Sequence, residues 1–254
     1  MSPAYAVEAL KLRRSRVVLV ATLALVLLPA AMARAFLAAA ERGGDNPADL
    51  KAAAVLPGVG WTGYLGGLVQ IYATAGLLGV GIVVGWCFGR EYADRTVVSL
   101  YASATPRDRI ASAKLVLLTL WATAVGLTAV LVAGLLGLAT GLGVPDDGDL
   151  RTAARLSVLA VLSGMLALPV AAAASVGRGY LPAVGGLLVL VVLAQMATVA
   201  GAGGWWPWSV PAVWAMGPEA GMPVVATGRL LLVPAVALAG AVGTVQWWRH
   251  AEVG

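Results

Sequence analysis

Apolar residues in this chain gather in six long blocks, not in the broken stripes of soluble helices. The blocks cover Val17–Leu37, Leu65–Phe88, Ile110–Leu138, Leu156–Val176, Leu181–Ala200 and Leu230–Trp247. Each has roughly the 20 residues that an α-helix needs to cross the hydrocarbon layer of a bilayer. Inside that layer, backbone polar groups are satisfied only within helices or a closed barrel, and uniform blocks of this length predict helices. The third block is longer than a crossing requires, so it tilts or projects past the bilayer. The predicted fold is an all-α polytopic membrane protein with six transmembrane helices in one domain, residues 1–254. The connecting segments reach only about 20 to 25 residues, too few for a separate core.

Composition sharpens this picture. Of 254 residues, 60% are hydrophobic and 11% charged, against about 25% charged in soluble domains. A water-soluble globule is excluded. The excess of 17 basic over 12 acidic residues sits in the loops, so it sets orientation and does not point to nucleic acid. Most Lys and Arg precede the first block, separate the second from the third, or follow the fourth and sixth. Asp146, Asp147 and Asp149 cluster in an opposite loop. This bias puts both termini in the cytoplasm. "KLRRSR", "VVLVATLALVLL" and "PAAMA" also fit a cleaved leader, with a first span as the preferred reading.

Chemistry narrows further. One cysteine and one histidine allow neither an internal disulfide nor a Cys/His metal cluster, so no metal site is expected. No G-x-x-x-x-G-K-[ST] and no H-E-x-x-H occurs, and the predicted spans hold no Asp or Glu. The chain is therefore expected to be no enzyme, to have no catalytic residues and to bind no cofactor. Within the spans lie Gln70, Thr74, Thr119, Thr123, Thr128, Ser163, Gln195 and Thr198. They either hydrogen-bond helices together or line a substrate route. Gln195, midway along the fifth block, is the costliest to leave in lipid.

The longest polar stretch, residues 89–114, is built with more care than orientation demands. As a helix, Arg90–Tyr101 places Ala93, Val97, Leu100 and Tyr101 on one face. Glu91, Asp94, Arg95 and Ser99 take the other, with Glu91 and Arg95 paired at i, i+4. Thr105-Pro106-Arg107-Asp108 then reads as a helix start: Thr105 the N-cap, Pro106 the first helical position, and Asp108 closing a capping box.

At these residues the sequence resembles a family. "FGREYADRTVVSLYASATPRDRIASAKL" resembles the loop between the second and third spans of type-2 ATP-binding-cassette (ABC) exporter permeases. The matching residues are Glu91, Thr96, Leu100, Thr105, Pro106, Arg109 and Lys114. "AVEALKLRRSRVVL" is similar to their N-terminal amphipathic connecting helix. "WWPWSVPAVWAMGPEAGMP" is similar to the reentrant outer segment between spans 5 and 6, with a flavour of antibiotic- and bacteriocin-immunity permeases. An interfacial aromatic belt explains the tryptophans equally well.

The resemblance implies a bacterial inner-membrane permease, paired as a homodimer or with a sister permease. It exports a small hydrophobic or peptide-like substrate, an antibiotic among the candidates. ATP and Mg sit on separate ABC ATPase subunits, which dock on a cytoplasmic coupling helix between spans 2 and 3. By the same resemblance, Glu91, Asp94, Arg95, Thr105, Pro106 and Arg107 couple to the ATPase. Gln70, Thr74, Gln195 and Thr198 line the pathway, and Trp205, Trp206, Pro207, Trp208 and Pro211 form an outer gate. The alternative is a non-transporting sensor or scaffold whose loop recruits another cytoplasmic partner.

Overall fold

The computed structural model describes residues 3–43, 46–94 and 105–250, and every regular element among them is helical. They are α1 (Pro3–Arg14), α2 (Arg16–Arg42), α3 (Pro47–Val55), α4 (Gly60–Ala93) and α5 (Arg107–Ala139). After these come α6 (Asp147–Leu166), α7 (Val170–Val176), α8 (Tyr180–Val199), α9 (Val210–Met216) and α10 (Leu232–His250). Six helices are long and apolar enough to cross a membrane: α2, α4, α5, the broken pair α6–α7, α8, and α10 with the 3-10 turn before it. Each coincides with one of the six blocks, most running on past its ends, while α8 stops one residue short of Ala200.

Local chemistry sets several of the boundaries. Only Ser15 separates α1 from α2, and its Oγ accepts the Val18 backbone N–H at 3.2 Å, capping the second helix. Helix α2 ends at Gly43 in the left-handed region, φ 59°, where glycine carries no Cβ penalty. Asp146 caps α6 in a reciprocal box: its carboxylate accepts from Asp149 N, and that of Asp149 from Asp146 N. The acidic loop is thus a helix start.

Two sequence expectations need correction at the α4–α5 connection. Arg90–Ala93 are the last turn of α4, not the start of a separate helix; the predicted coupling helix beyond them, Arg95 included, lies outside the described residues. Helix α5 begins one residue later than predicted. Its N-cap is Pro106, which has no side-chain acceptor, so Thr105 is not the cap and the capping box with Asp108 is not formed. Asp108 instead accepts the adjacent Arg109 N–H at 2.9 Å.

Helix α4 is the centre of the bundle and packs against α2, α6, α7 and α8. Glycine makes its contact with α8 close. A Cβ at Gly81 would meet Leu187 at 2.6 Å, and one at Gly85 would meet Ala183 at 2.8 Å. One at Gly89 would run into the Tyr180 backbone. The spacing of four puts all three on one face, as in small-residue seams of membrane helices. Elsewhere α8 is bare, burying only Ala183 and Leu187.

The fourth span breaks at Pro169, which cannot donate to a helical ladder. Past the break, Val170 N turns to Ala167 O at 3.1 Å, leaving the Leu166 carbonyl outside the ladder. Trp208 Nε1–H donates to that carbonyl at 3.2 Å. One tryptophan of the segment between α8 and α10 is thereby pinned to the broken span.

Candidate functional site

Two polar constellations stand out, one at each end of the bundle. At the end bearing α1, four charges from three helices close a ring. Lys11 Nζ lies 2.8 Å from Glu8 Oε1 and 3.2 Å from Glu91 Oε1. Lys114 Nζ lies 2.8 Å from Glu91 Oε1 and 3.0 Å from Glu8 Oε2. Every member therefore touches two of opposite sign. Glu91 is 2% exposed, Lys114 4% and Glu8 6%, so water screens these pairs weakly. The third proton of Lys114 goes to the Cys87 carbonyl at 3.2 Å, using the second lone pair of a helical oxygen. Burial alone would push the Lys11 ammonium down. Its hydrogen bond and charge contact with Glu8, and then those with Glu91, outweigh burial and hold it above its ordinary 10.5.

This is a correction for Glu91. The sequence pattern sets it on a solvent-facing surface; the structure turns it into the bundle, where the helix continues past Phe88 to Ala93. Asp94, at the C-terminal end of α4, is exposed. The predicted span itself holds no carboxylate; α4 runs five residues past it, and Glu91 is buried in that extension. Glu8 and Lys11 were not singled out by sequence. Counting apolar faces would have misled, because Val7 and Leu10 are 53% and 50% exposed while Glu8 points inward.

Toward the other end, a cavity of about 370 Å³ opens between α4, α8 and α9. Gln70, Thr74, Gln195 and Thr198, four residues drawn from two distant stretches, all line it, and Trp208 and Ser209 stand beside them. Gln195 Nε2 donates to Thr74 Oγ1 at 3.3 Å, and Gln70 Nε2 to the Val55 carbonyl at 3.0 Å. Other span hydroxyls do blander work. Thr119 Oγ1 donates to Leu115 O within its own helix, and Trp121 Nε1 donates to Thr22 Oγ1 between α5 and α2.

The tryptophan segment divides. Trp208 faces the cavity and stacks obliquely on Trp206, centroids 5.6 Å apart. Trp205 is exposed, with the Arg229 guanidinium 3.7 Å from its ring centroid, a close cation–π contact. Pro207 is half-buried. Pro211 is buried in the first turn of α9, where proline fits.

The family model for ABC-2 family transporter proteins matches residues 5–195, from α1 almost to the end of α8. The chain belongs to that family. No curated protein matches it. Family membership makes the chain a membrane-embedded, multi-pass permease subunit of an ABC transporter, working with an ABC ATPase. The matched region contains the whole charge ring and, of the four cavity residues, Gln70, Thr74 and Gln195; Thr198 lies just past its end.

Proposed function

We propose that this ABC-2 permease is half of an exporter that moves a small hydrophobic or peptide-like molecule outward through the cavity between α4 and α8. The cavity supports this best: Gln70, Thr74, Gln195 and Thr198 offer neutral donors and acceptors beside alanine, methionine and tryptophan surface. Amides and hydroxyls can satisfy a peptide-like backbone while the apolar wall takes its side chains. Trp208 roofs the cavity and, with Trp205, Trp206, Pro207 and Pro211, serves as the outer gate of a reentrant segment. An antibiotic is the cargo class this reading favours.

In this reading the permease hydrolyses no ATP itself; ATP and Mg sit on the ATPase, and both termini lie in the cytoplasm of a bacterial cell. The ATPase docks where α4 ends and α5 begins, on Asp94, Arg95, Thr105, Pro106 and Arg107, with Glu91 acting from inside the bundle. A second permease copy covers α8. This rests on how little of that helix the rest of the chain covers, since it buries only Ala183 and Leu187.

The test is co-purification with the ATPase encoded beside the permease gene. Asp94→Arg is expected to abolish co-purification while leaving membrane insertion intact. Retention of the ATPase by that variant would remove the docking assignment. Gln195→Ala should abolish stimulation of ATP hydrolysis by cargo peptides and leave the unstimulated rate in place.

A further inference from the structure

Helix α1 is seated by charge. Its buried residues are Ala4 and Glu8; Ala4 offers a single methyl, while the apolar Val7 and Leu10 stay largely outside. Tyr5 and Leu12 pack half-buried against the core; the polar hold on α1 is the ring, to which α1 supplies Glu8 and Lys11 and the α4–α5 hairpin supplies Glu91 and Lys114. All four are at opposite-charge contact, between 2.8 and 3.2 Å. On its other side α1 passes into the first span through one residue, Ser15.

We propose that Glu8, Lys11, Glu91 and Lys114 form a clasp of positioning residues that makes α1 and the root of the α4–α5 hairpin move as one body. A displacement of that root then carries α1 with it and levers α2 through Ser15. The clasp itself rests only on the geometry. Its use in transport rests on the reading that an ATPase works on this hairpin. A ring suits the task better than separate pairs. Each charge is held from two directions, so the joint resists rotation as well as separation, and loss of any one member leaves two others short of a partner in a poorly screened site.

The chain contains its own reporter. Cys87, the single cysteine, is 7% exposed. It lines a cavity of about 20 Å³ with Glu8, Lys11, Trp86, Arg90 and Lys114. That space holds roughly one water molecule, too little for a maleimide. Labelling of Cys87 by N-ethylmaleimide thus requires the clasp to open, and its rate follows the open population.

For the purified permease in nanodiscs, Glu8→Gln and Lys114→Met are expected to label about tenfold faster than wild type. Leu10→Gln, on the exposed side of α1, should label at the wild-type rate. Glu8 lies outside the spans, so its variant inserts normally, and a wild-type labelling rate for Glu8→Gln would overturn the clasp. The double exchange Glu91→Lys with Lys114→Glu separates a ring from independent pairs. In a ring it sets Lys against Lys11 and Glu against Glu8, and labelling stays fast. Slow labelling of that variant would dissolve the ring into pairs.

The coupling arm uses a spin label at Leu10→Cys in a Cys87→Ser background, measured against a second label at Leu138→Cys. With the ATPase bound, trapping by ATP and vanadate should change this distance in the parent and leave it fixed once Glu8→Gln is added. An equal change in both overturns the levering role. Failure of the parent to bind any ATPase strikes the docking reading alone, because the labelling arm needs no partner.

Discussion

Three oxygens surround the Lys114 ammonium, one for each of its protons: Glu8 Oε2, Glu91 Oε1 and the Cys87 carbonyl. An ammonium so placed is worth little more than an apolar isostere while its partners remain, yet its removal leaves two buried carboxylates sharing the Lys11 ammonium. Lys114→Met is therefore expected to lower unfolding free energy by about 3 kcal/mol, read as a fall in melting temperature in detergent. Lys11 adds a pH dependence of known sign. Its folded-state pKa lies above 10.5, so its contribution is complete below 10.5 and is lost as pH rises through the higher folded value. The groups facing it are Glu8 and Glu91, with Lys114 across the ring. A spin label at Leu10→Cys, again with Cys87→Ser, should stay immobile below pH 10.5 and gain mobility above it. Sequence pattern could not reach this network. Glu91 reads as the polar face of a loop helix, and only the continuation of α4 to Ala93 turns it inward. Trp248 was equally hidden: near a charged terminus it looks interfacial, yet it is 1% exposed and donates to Ser175 Oγ at 2.9 Å.

Among elements, the seam between α4 and α8 invites the most direct intervention. Gly89 meets backbone at Tyr180 and Gly85 the fixed Cβ of Ala183, whereas Gly81 meets the flexible end of Leu187, so room can be made by a small shift at Gly81 and not at Gly89. Gly89→Ala should cost about 1–3 kcal/mol of stability and displace the start of α8, while Gly81→Ala costs less. Thermal unfolding of the two variants side by side measures the contrast. The helices themselves were legible because hydropathy blocks depend on composition alone, and all six helices long enough to cross a membrane fall where the blocks do. Their ends were not: α5 starts after Pro106 and α4 passes Phe88, since ends depend on partners elsewhere in the chain. The break at Pro169 carries a plain proline signal. Its pairing with Trp208 does not, for nothing local ties Leu166 to a residue 42 positions away.

For the whole permease, the same polar residues that hydropathy marks as out of place converge on one cavity. Gln70 and Thr74 were joined to Gln195 and Thr198 by family resemblance, and the fold brings the two pairs face to face. The thinly covered face of α8 then predicts how two copies meet. In a Cys87→Ser background, Val192→Cys should cross-link between permeases, whereas Leu120→Cys, 61% exposed on α5, should not. Absence of the Val192→Cys cross-link would remove α8 from the subunit contact.

The clasp also bears on the order in which the protein is made. Lys11 and its partner Glu91 are separated by 80 positions, and Lys114 emerges later still. At about 5–20 residues per second of synthesis, α1 leaves the ribosome several seconds before its seat exists. Its Val7 and Leu10 can lie on the membrane surface meanwhile, but Glu8 and Lys11 wait for their partners until the third span begins to insert. Docking of α1 then marks completion of the first half of the bundle, a late step in biogenesis set by the position of two glutamates and two lysines along the chain.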